Sequence, residues 1–161
     1  MGVNEYVDEG ANPPVRSIDE VLSEARGRLS RVSPEDARAR QLAGALLVDI
    51  RYELLRRQDG VIPGALIVER NELEWRLDPL CDYRLPQAAH HDLDVLVLCN
   101  EGYASSLAAL SLRQLGLRRA TDVIGGIRAW SAAGLPIAAA GAGTVTLAPG
   151  EIGRASCRER V

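Results

Sequence analysis

The chain has 161 residues, a formal net charge of -3 and a hydrophobic fraction of 47%, which fits one globular domain with a buried core. Its mild acidity argues against binding to nucleic acids or anionic membranes, and no apolar run reaches the length of a transmembrane helix. Lysine and phenylalanine are absent, whereas Arg, Ala, Leu and Gly are abundant. This composition indicates a GC-rich bacterial gene.

The ends of the chain and its cysteines give expectations about compartment and domain limits. The N-terminus has neither a basic region nor an apolar region of the secretory kind. The three cysteines do not make an even disulfide framework, so a reducing cytoplasm is the simplest interpretation. We expect a flexible lead-in over 1–14, a folded domain over 15–137 and a Gly/Ala-rich tail over 138–150. Residues 151–161 resemble a translated sequencing adapter and are interpreted as non-native.

Two helix starts are visible before the first apolar run. Ser17 and Glu20 form a capping box ahead of a helix with Leu22 and Ala25 on one face. Ser33 followed by Pro34 predicts a second start, with a cap and a proline in the first turn. These signals predict two helices at the beginning of the domain.

Short apolar runs then alternate with helical segments. Strands are predicted over 45–50, 65–68, 95–99 and 120–123. The helices predicted between and after them are 52–58, 72–77 with Asn71 as cap, 105–115 and 127–133. The alternation predicts an α/β domain in three layers, with a mainly parallel central sheet and helices on both faces.

Cys99 is the first candidate functional residue, since functional groups of such sheets lie at the carboxyl ends of strands. It ends a buried strand just before a helix, where converging N–H groups favour the thiolate, which is the nucleophilic form. Gly102 is expected where the chain bends closely around the sulfur, and Ser105 is expected to cap the helix. Without further context, a buried structural cysteine is the more ordinary interpretation.

Four segments in order resemble the rhodanese-like sulfurtransferase domain: residues 48–51, 60–65, 99–105 and 125–130, within a match over about 15–137. The resemblance implies that Cys99 takes a sulfane sulfur as a persulfide and passes it to a thiophilic acceptor. Backbone N–H groups of residues 101–105 would donate hydrogen bonds to the sulfur, and no cofactor or metal is expected. The implied active-site loop after Cys99 consists of Asn100, Glu101, Gly102, Tyr103, Ala104 and Ser105.

Two positions depart from the family's pattern. Many members have Arg where Ala104 stands and His where Val61 stands, so this loop contains no cation. Instead it contains Glu101, whose carboxylate disfavours a nearby thiolate and repels anionic donors such as thiosulfate. The resemblance therefore supports a persulfide carrier more firmly than an efficient thiosulfate enzyme. Arg51 or Arg128 would supply charge from outside the loop, or Arg51 would pair with Glu101.

Other polar and aromatic residues have plainer interpretations. Asp49 and Arg51 are expected to support the site structurally, the acid as a helix cap and the arginine as a loop brace. Trp130 is expected in the core. Adjacent His90 and His91 make a weak metal signal, and a solvated loop is favoured. Tyr103 either flanks an entering acceptor or lies on the surface, and the sequence leaves both open.

Two other functions compete with sulfur transfer. A cysteine phosphatase of related architecture needs Arg six residues after its cysteine to clamp phosphate, but the sixth residue after Cys99 is Ser105. The alternative that stays open is a weak or silent rhodanese-fold interaction module, because a fold does not dictate function. The expected partners of an enzyme are a small sulfur donor and a thiol or protein acceptor. The oligomeric state does not follow from the sequence.

Overall fold

The computed structural model describes residues 12–141. Most of the predicted lead-in, most of the predicted tail and the whole adapter-like segment 151–161 lie outside the described residues. Within the described range the helices and strands follow in this order: α1 Ile18–Gly27, α2 Pro34–Leu42, β1 Leu46–Asp49, α3 Glu53–Asp59, β2 Leu66–Ile67, a 3-10 helix Arg70–Glu72, α4 Leu73–Leu77, β3 Val95–Leu98, α5 Ala104–Gln114, β4 Thr121–Asp122 and α6 Gly126–Ala132.

The strands form one parallel sheet in the order β2-β1-β3-β4. Val48 of β1 pairs with Leu66 on one side and with Val97 of β3 on the other, and Val97 pairs with Asp122 of β4. The predicted parallel α/β sheet is therefore confirmed. Its two central strands are the continuous apolar runs of the sequence, as expected for strands buried on both faces.

Alternate residues of the central strands face opposite layers, because side chains of a strand point alternately to its two faces. On one face, Leu47 and Leu96 pack in a cluster with residues of α2 and α6, including Trp130. On the other face, Val48 and Val97 pack with residues of α4 and α5. Helices on both faces are thus confirmed, and so is the core position of Trp130, which is fully buried.

The two predicted helix caps are present. The amide of Glu20 donates to Ser17 Oγ at 3.1 Å, and the amide of Ser17 donates to the Glu20 carboxylate at 2.7 Å. The backbone hydrogen bond from Ser17 lowers the pKa of Glu20. Ser33 caps α2 by accepting from the amide of Asp36 at 3.1 Å. The two caps fix where α1 and α2 begin.

Asn71 does not cap a helix, so that prediction is wrong. It lies inside the 3-10 helix Arg70–Glu72, which runs directly into α4 at Leu73. A capping residue needs an extended backbone outside the helix, and the continuous helical turn leaves no such position.

In residues 12–141, every helix is too short or too polar to cross a membrane.

Candidate active site

Three neighbouring strands end in chemically reactive or charged residues at one edge of the sheet. Asp49 is the last residue of β1, Cys99 directly follows β3, and Asp122 is the last residue of β4. Because parallel strands share their carboxyl edge, these residues gather there. The sequence predicted the first two positions, but Asp122 was missed.

Cys99 is a free cysteine whose side chain is buried in the turn between β3 and α5. Residues 99–103, here called the Cys99 loop, fold back so that the amide of Gly102 donates to Cys99 Sγ at 3.1 Å. Since α5 begins at Ala104, the positive end of its dipole also lies beside this loop. The thiol therefore has a backbone donor and a helix N-terminus next to it, an arrangement that favours an anionic sulfur.

The loop is held against the start of α6. The amides of Ile127 and Arg128 donate to the carbonyls of Cys99 and Asn100 at 2.9 and 3.2 Å. A Cβ on Gly126 would lie 2.4 Å from the carbonyl oxygen of Cys99. The paired glycines before α6 thus allow a close backbone approach that a larger residue would block.

Gly102 itself has a left-handed backbone with φ of 85°. A Cβ there would lie 2.7 Å from the backbone nitrogen of Gly125 and 3.3 Å from an Arg31 nitrogen. The structure thus shows the tight bend and close approach that were expected of this glycine. Its amide can reach the sulfur because no side chain keeps the loop away from α6.

Two arginines that sequence reasoning missed contact the carbonyl of Gly102. Arg26 of α1 donates from Nη2 at 2.8 Å, and Arg31 of the α1–α2 linker donates from Nη2 at 3.0 Å. The Arg26 guanidinium also lies over the Tyr103 ring, 5.4 Å from its centre. Cationic charge therefore reaches the Cys99 loop from 71 to 76 residues away in sequence.

Asp122 is the buried anion that organises this side of the site. Arg31 donates to its two oxygens at 2.8 and 3.1 Å, and the hydroxyls of Ser105 and Ser106 donate to Oδ2 at 2.7 and 2.8 Å. The Asp122 side chain is fully buried, and such a carboxylate needs several donors to offset its lost hydration. Asp122 thereby ties α5 to the linker that carries Arg31.

Ser105 is not the cap of α5, which corrects the prediction. The helix already begins at Ala104, and Tyr103 occupies the preceding position without a side-chain capping bond. Ser105 is buried in the first turn and donates its hydroxyl to Asp122. The buried carboxylate, rather than the exposed helix end, is the partner that this hydroxyl satisfies.

Arg51 forms its ion pair with Asp49 and not with Glu101. Its Nη2 lies 2.7 Å from Asp49 Oδ2, both side chains are buried, and a second bond at 2.8 Å reaches the Gly60 carbonyl. Asp49 also accepts from the Arg51 amide at 3.0 Å instead of capping α3. An aspartate can accept from the backbone amide two residues on in a local turn that needs no helix end. The separate bond from Arg51 Nη2 to the Gly60 carbonyl braces the turn at Gly60.

The remaining residues near the Cys99 loop are mostly open to solvent. Glu101, Tyr103 and Ala104 are exposed, and Glu101 has no ion-pair partner among residues 12–141. Arg128 is 62% exposed, with its Nη2 3.8 Å from Asp59 Oδ2. In the same range, no group of three or more metal-ligating side chains is placed to hold a metal. Negative charge therefore lies at the surface of the loop, and positive charge lies behind it.

The parallel sheet and the strand–loop–helix around Cys99 define an α/β domain with a cysteine site. The model of the rhodanese-like domain family matches residues 33–133, and the chain belongs to that family. It is 39% identical over 94 residues to a sulfurtransferase of Allochromatium vinosum, a match that covers 58% of this chain and 78% of that protein.

Solved structures agree on the fold. A protein of unknown function from Rhodopseudomonas palustris, described as a possible tyrosine phosphatase, is 32% identical with a TM-score of 0.70, over 80% of this chain and 98% of that one. A rhodanese-related protein from Thermoplasma volcanium is 25% identical with a TM-score of 0.54, over 67% of this chain and 96% of that one. The chain therefore shares the fold of these proteins, and the chemistry of Cys99 depends on the residues around it.

Proposed function

We propose that the protein is a sulfurtransferase in which Cys99 carries a sulfane sulfur as a persulfide. The observation that carries the proposal is the free thiol of Cys99 with the Gly102 amide 3.1 Å from its sulfur. An amide in that position stabilises negative charge on the thiolate before transfer and on the persulfide after it. Membership of the rhodanese-like family and the similarity to a sulfurtransferase agree with it.

The reaction has two displacement steps on sulfur. The Cys99 thiolate attacks the outer sulfur of a donor, the sulfur–sulfur bond of the donor breaks, and its electron pair leaves with the donor's remainder, which is sulfite when the donor is thiosulfate. An acceptor thiolate or cyanide then attacks the terminal sulfur of the persulfide. The Cys99 sulfur leaves as the thiolate, so no external oxidant or reductant is needed.

The exposed surface of the loop favours persulfide donors over thiosulfate. The Cys99 loop has no side-chain cation, and Glu101 is exposed within it. A doubly charged anion meets this carboxylate on approach and finds no guanidinium in the loop that would clamp it. We therefore expect a low-molecular-weight or protein persulfide to load Cys99 faster than thiosulfate does.

Mass spectrometry of the Cys99 peptide tests the proposal. The purified protein is incubated with thiosulfate or with a persulfide donor, and we expect the added mass of one sulfur atom, which cyanide then removes as thiocyanate. Cys99→Ser is the negative control, and Ser111→Ala is a matched control at a hydroxyl whose bond goes to Glu74 of α4. Absence of the adduct with every donor contradicts the proposal and favours the silent interaction module.

A phosphatase assay separates the remaining alternative. Ser105 occupies the place of the required arginine, and its hydroxyl is committed to Asp122. Arg26 and Arg31 bind the Gly102 carbonyl, so they are not arranged as a bidentate clamp for phosphate. We expect no Cys99-dependent hydrolysis of p-nitrophenyl phosphate, and turnover that disappears in Cys99→Ser would contradict this assignment.

A further inference from the structure

The Cys99 loop carries no basic side chain, yet two guanidiniums bind its backbone. Gly102 donates its amide to the sulfur while its carbonyl accepts from Arg26 and Arg31. With Asp122 as the one buried carboxylate beside them, the two arginines leave an excess of positive charge behind the loop. A charge in this poorly hydrated setting acts on the sulfur more strongly than an exposed one.

The position of Arg31 is fixed by backbone pairing. Its neighbour Val32 forms a parallel bridge with Val123, next to the end of β4. The Val32 amide donates to the Asp122 carbonyl at 3.1 Å, and the Ile124 amide donates to the Val32 carbonyl at 2.9 Å. The linker therefore pairs with the outer side of β4, and this pairing holds Arg31 against the Asp122 carboxylate.

The hydrogen-bonding groups that these arginines turn toward the loop are already used. Arg31 commits Nε and Nη2 to Asp122 and Gly102. Arg26 commits Nε to Ser106 at 3.2 Å and Nη2 to Gly102. These donor groups bind protein atoms on the side of the loop away from its exposed surface, so they are not available to an anion that approaches the sulfur.

We propose that Arg31, assisted by Arg26, is a positioning residue that holds the Gly102 amide on Cys99 and stabilises the sulfur anion without contacting the donor. Charge that activates the sulfur is thereby separated from charge that selects the donor. Arg31 sets the reactivity of Cys99 toward every electrophile alike, and Glu101 sets the discrimination against anionic ones. The inference deepens the proposed function, but its test needs no sulfur donor.

Alkylation of Cys99 by neutral iodoacetamide and by anionic iodoacetate tests the separation. In Arg31→Gln we expect both rates at neutral pH to fall by the same factor, about threefold to tenfold for one lost charge-assisted contact, with the rate–pH profile moved to higher pH. Glu101→Gln should instead accelerate iodoacetate more than iodoacetamide, because it removes the repulsion of the anionic reagent in addition to any effect of the carboxylate on the thiolate. Arg40→Gln is the matched control, since Arg40 pairs with partly buried Asp94 at the opposite edge of the sheet.

The two alkylation rates either support or overturn the positioning role of Arg31. Equal slowing of both reagents, with partial recovery in Arg31→Lys, supports the proposal. Unchanged rates overturn it, and so does a loss confined to iodoacetate, because that would show Arg31 contacting the incoming anion. If Arg31→Gln does not fold by circular dichroism, the same two rates in Arg26→Gln decide. Slowed alkylation with no sulfur adduct would refute the proposed function and leave this inference standing.

Discussion

Two acid–arginine pairs stand at the same edge of the sheet and differ in what they hold. Asp49 and Arg51 are two residues apart and fasten the Gly60 carbonyl, whereas Arg31 and Asp122 are 91 residues apart and fasten the Gly102 carbonyl. Both pairs are bidentate, and both acids are fully buried. The same device therefore braces the Gly60 turn from the end of β1 and the Cys99 loop from the end of β4.

The largest effect is expected from removing each acid in turn. Asp49→Asn removes the ion pair of the buried Arg51 guanidinium, and Asp122→Asn removes that of the partly buried Arg31. Breaking a pair around a buried acid in this way costs about 3–5 kcal/mol of unfolding free energy. Only Asp122→Asn should also abolish sulfur loading of the molecules that remain folded, since only that pair holds the Cys99 loop. Urea unfolding gives the first quantity, and mass spectrometry below the unfolding midpoint gives the second. Equal losses of loading in both variants would end the distinction between the two regions.

Gly102→Ala tests the loop side of the comparison. The added methyl group meets the Gly125 backbone and Arg31. We therefore expect the free energy of unfolding to fall by about 2 kcal/mol or more and the alkylation of Cys99 to slow. Gly44→Ala is the matched control, with φ of 108° but no atom within 4 Å of the added Cβ. Gly44→Ala has the backbone strain without the steric contact. Thermal unfolding curves that coincide for the two variants would therefore contradict the predicted steric contact at Gly102.

A smaller effect is expected at the surface of the loop. Replacing exposed Glu101 by Gln removes one repulsive charge and should raise kcat/KM for thiosulfate by roughly threefold at low salt. The gain should shrink as ionic strength rises, because salt screens exposed charges. Initial rates at several salt concentrations measure it, with Glu72→Gln as a control outside the loop. A gain that does not depend on salt would show that Glu101 acts by another route.

The smallest effect belongs to a third acid–arginine pair, Arg70 and Glu74, which is partly exposed. Burial raises the pKa of Glu74, but hydrogen bonds from Ser111 and Arg70 outweigh it and lower the pKa below the usual 4.5. The ionised form is thus favoured by folding, so its contribution is present above pH 4.5 and is lost as the pH falls through the lowered value.

Unfolding titrations between pH 7 and pH 3 measure that contribution. Glu74→Gln should lower the free energy of unfolding by less than about 1 kcal/mol at pH 7. At pH 3 the two proteins should have the same free energy of unfolding. Glu53→Gln, at an exposed pair with Arg57, serves as the control. A difference that persists at pH 3 would contradict the titration of Glu74.

The sequence predicted the features that depend on neighbouring residues. Capping signals at Ser17 and Ser33, the apolar runs of β1 and β3 and the bend at Gly102 each follow from a few adjacent positions. Arg31 and Asp122 did not follow, because an arginine in a linker and an acid at a short strand's end carry no local signal. Ser105 was misassigned for the same reason, since its partner is the acid 17 residues away.

The bridge between Val32 and Val123 also limits how far the sulfur site can be transferred between proteins. The match to the family model begins at residue 33, just after Arg26 and Arg31. Residues 99–105 grafted into another scaffold would bring the thiol and the bend but leave both guanidiniums behind. A functional graft therefore needs the Cys99 loop together with α1 and the α1–α2 linker, which precede the matched range.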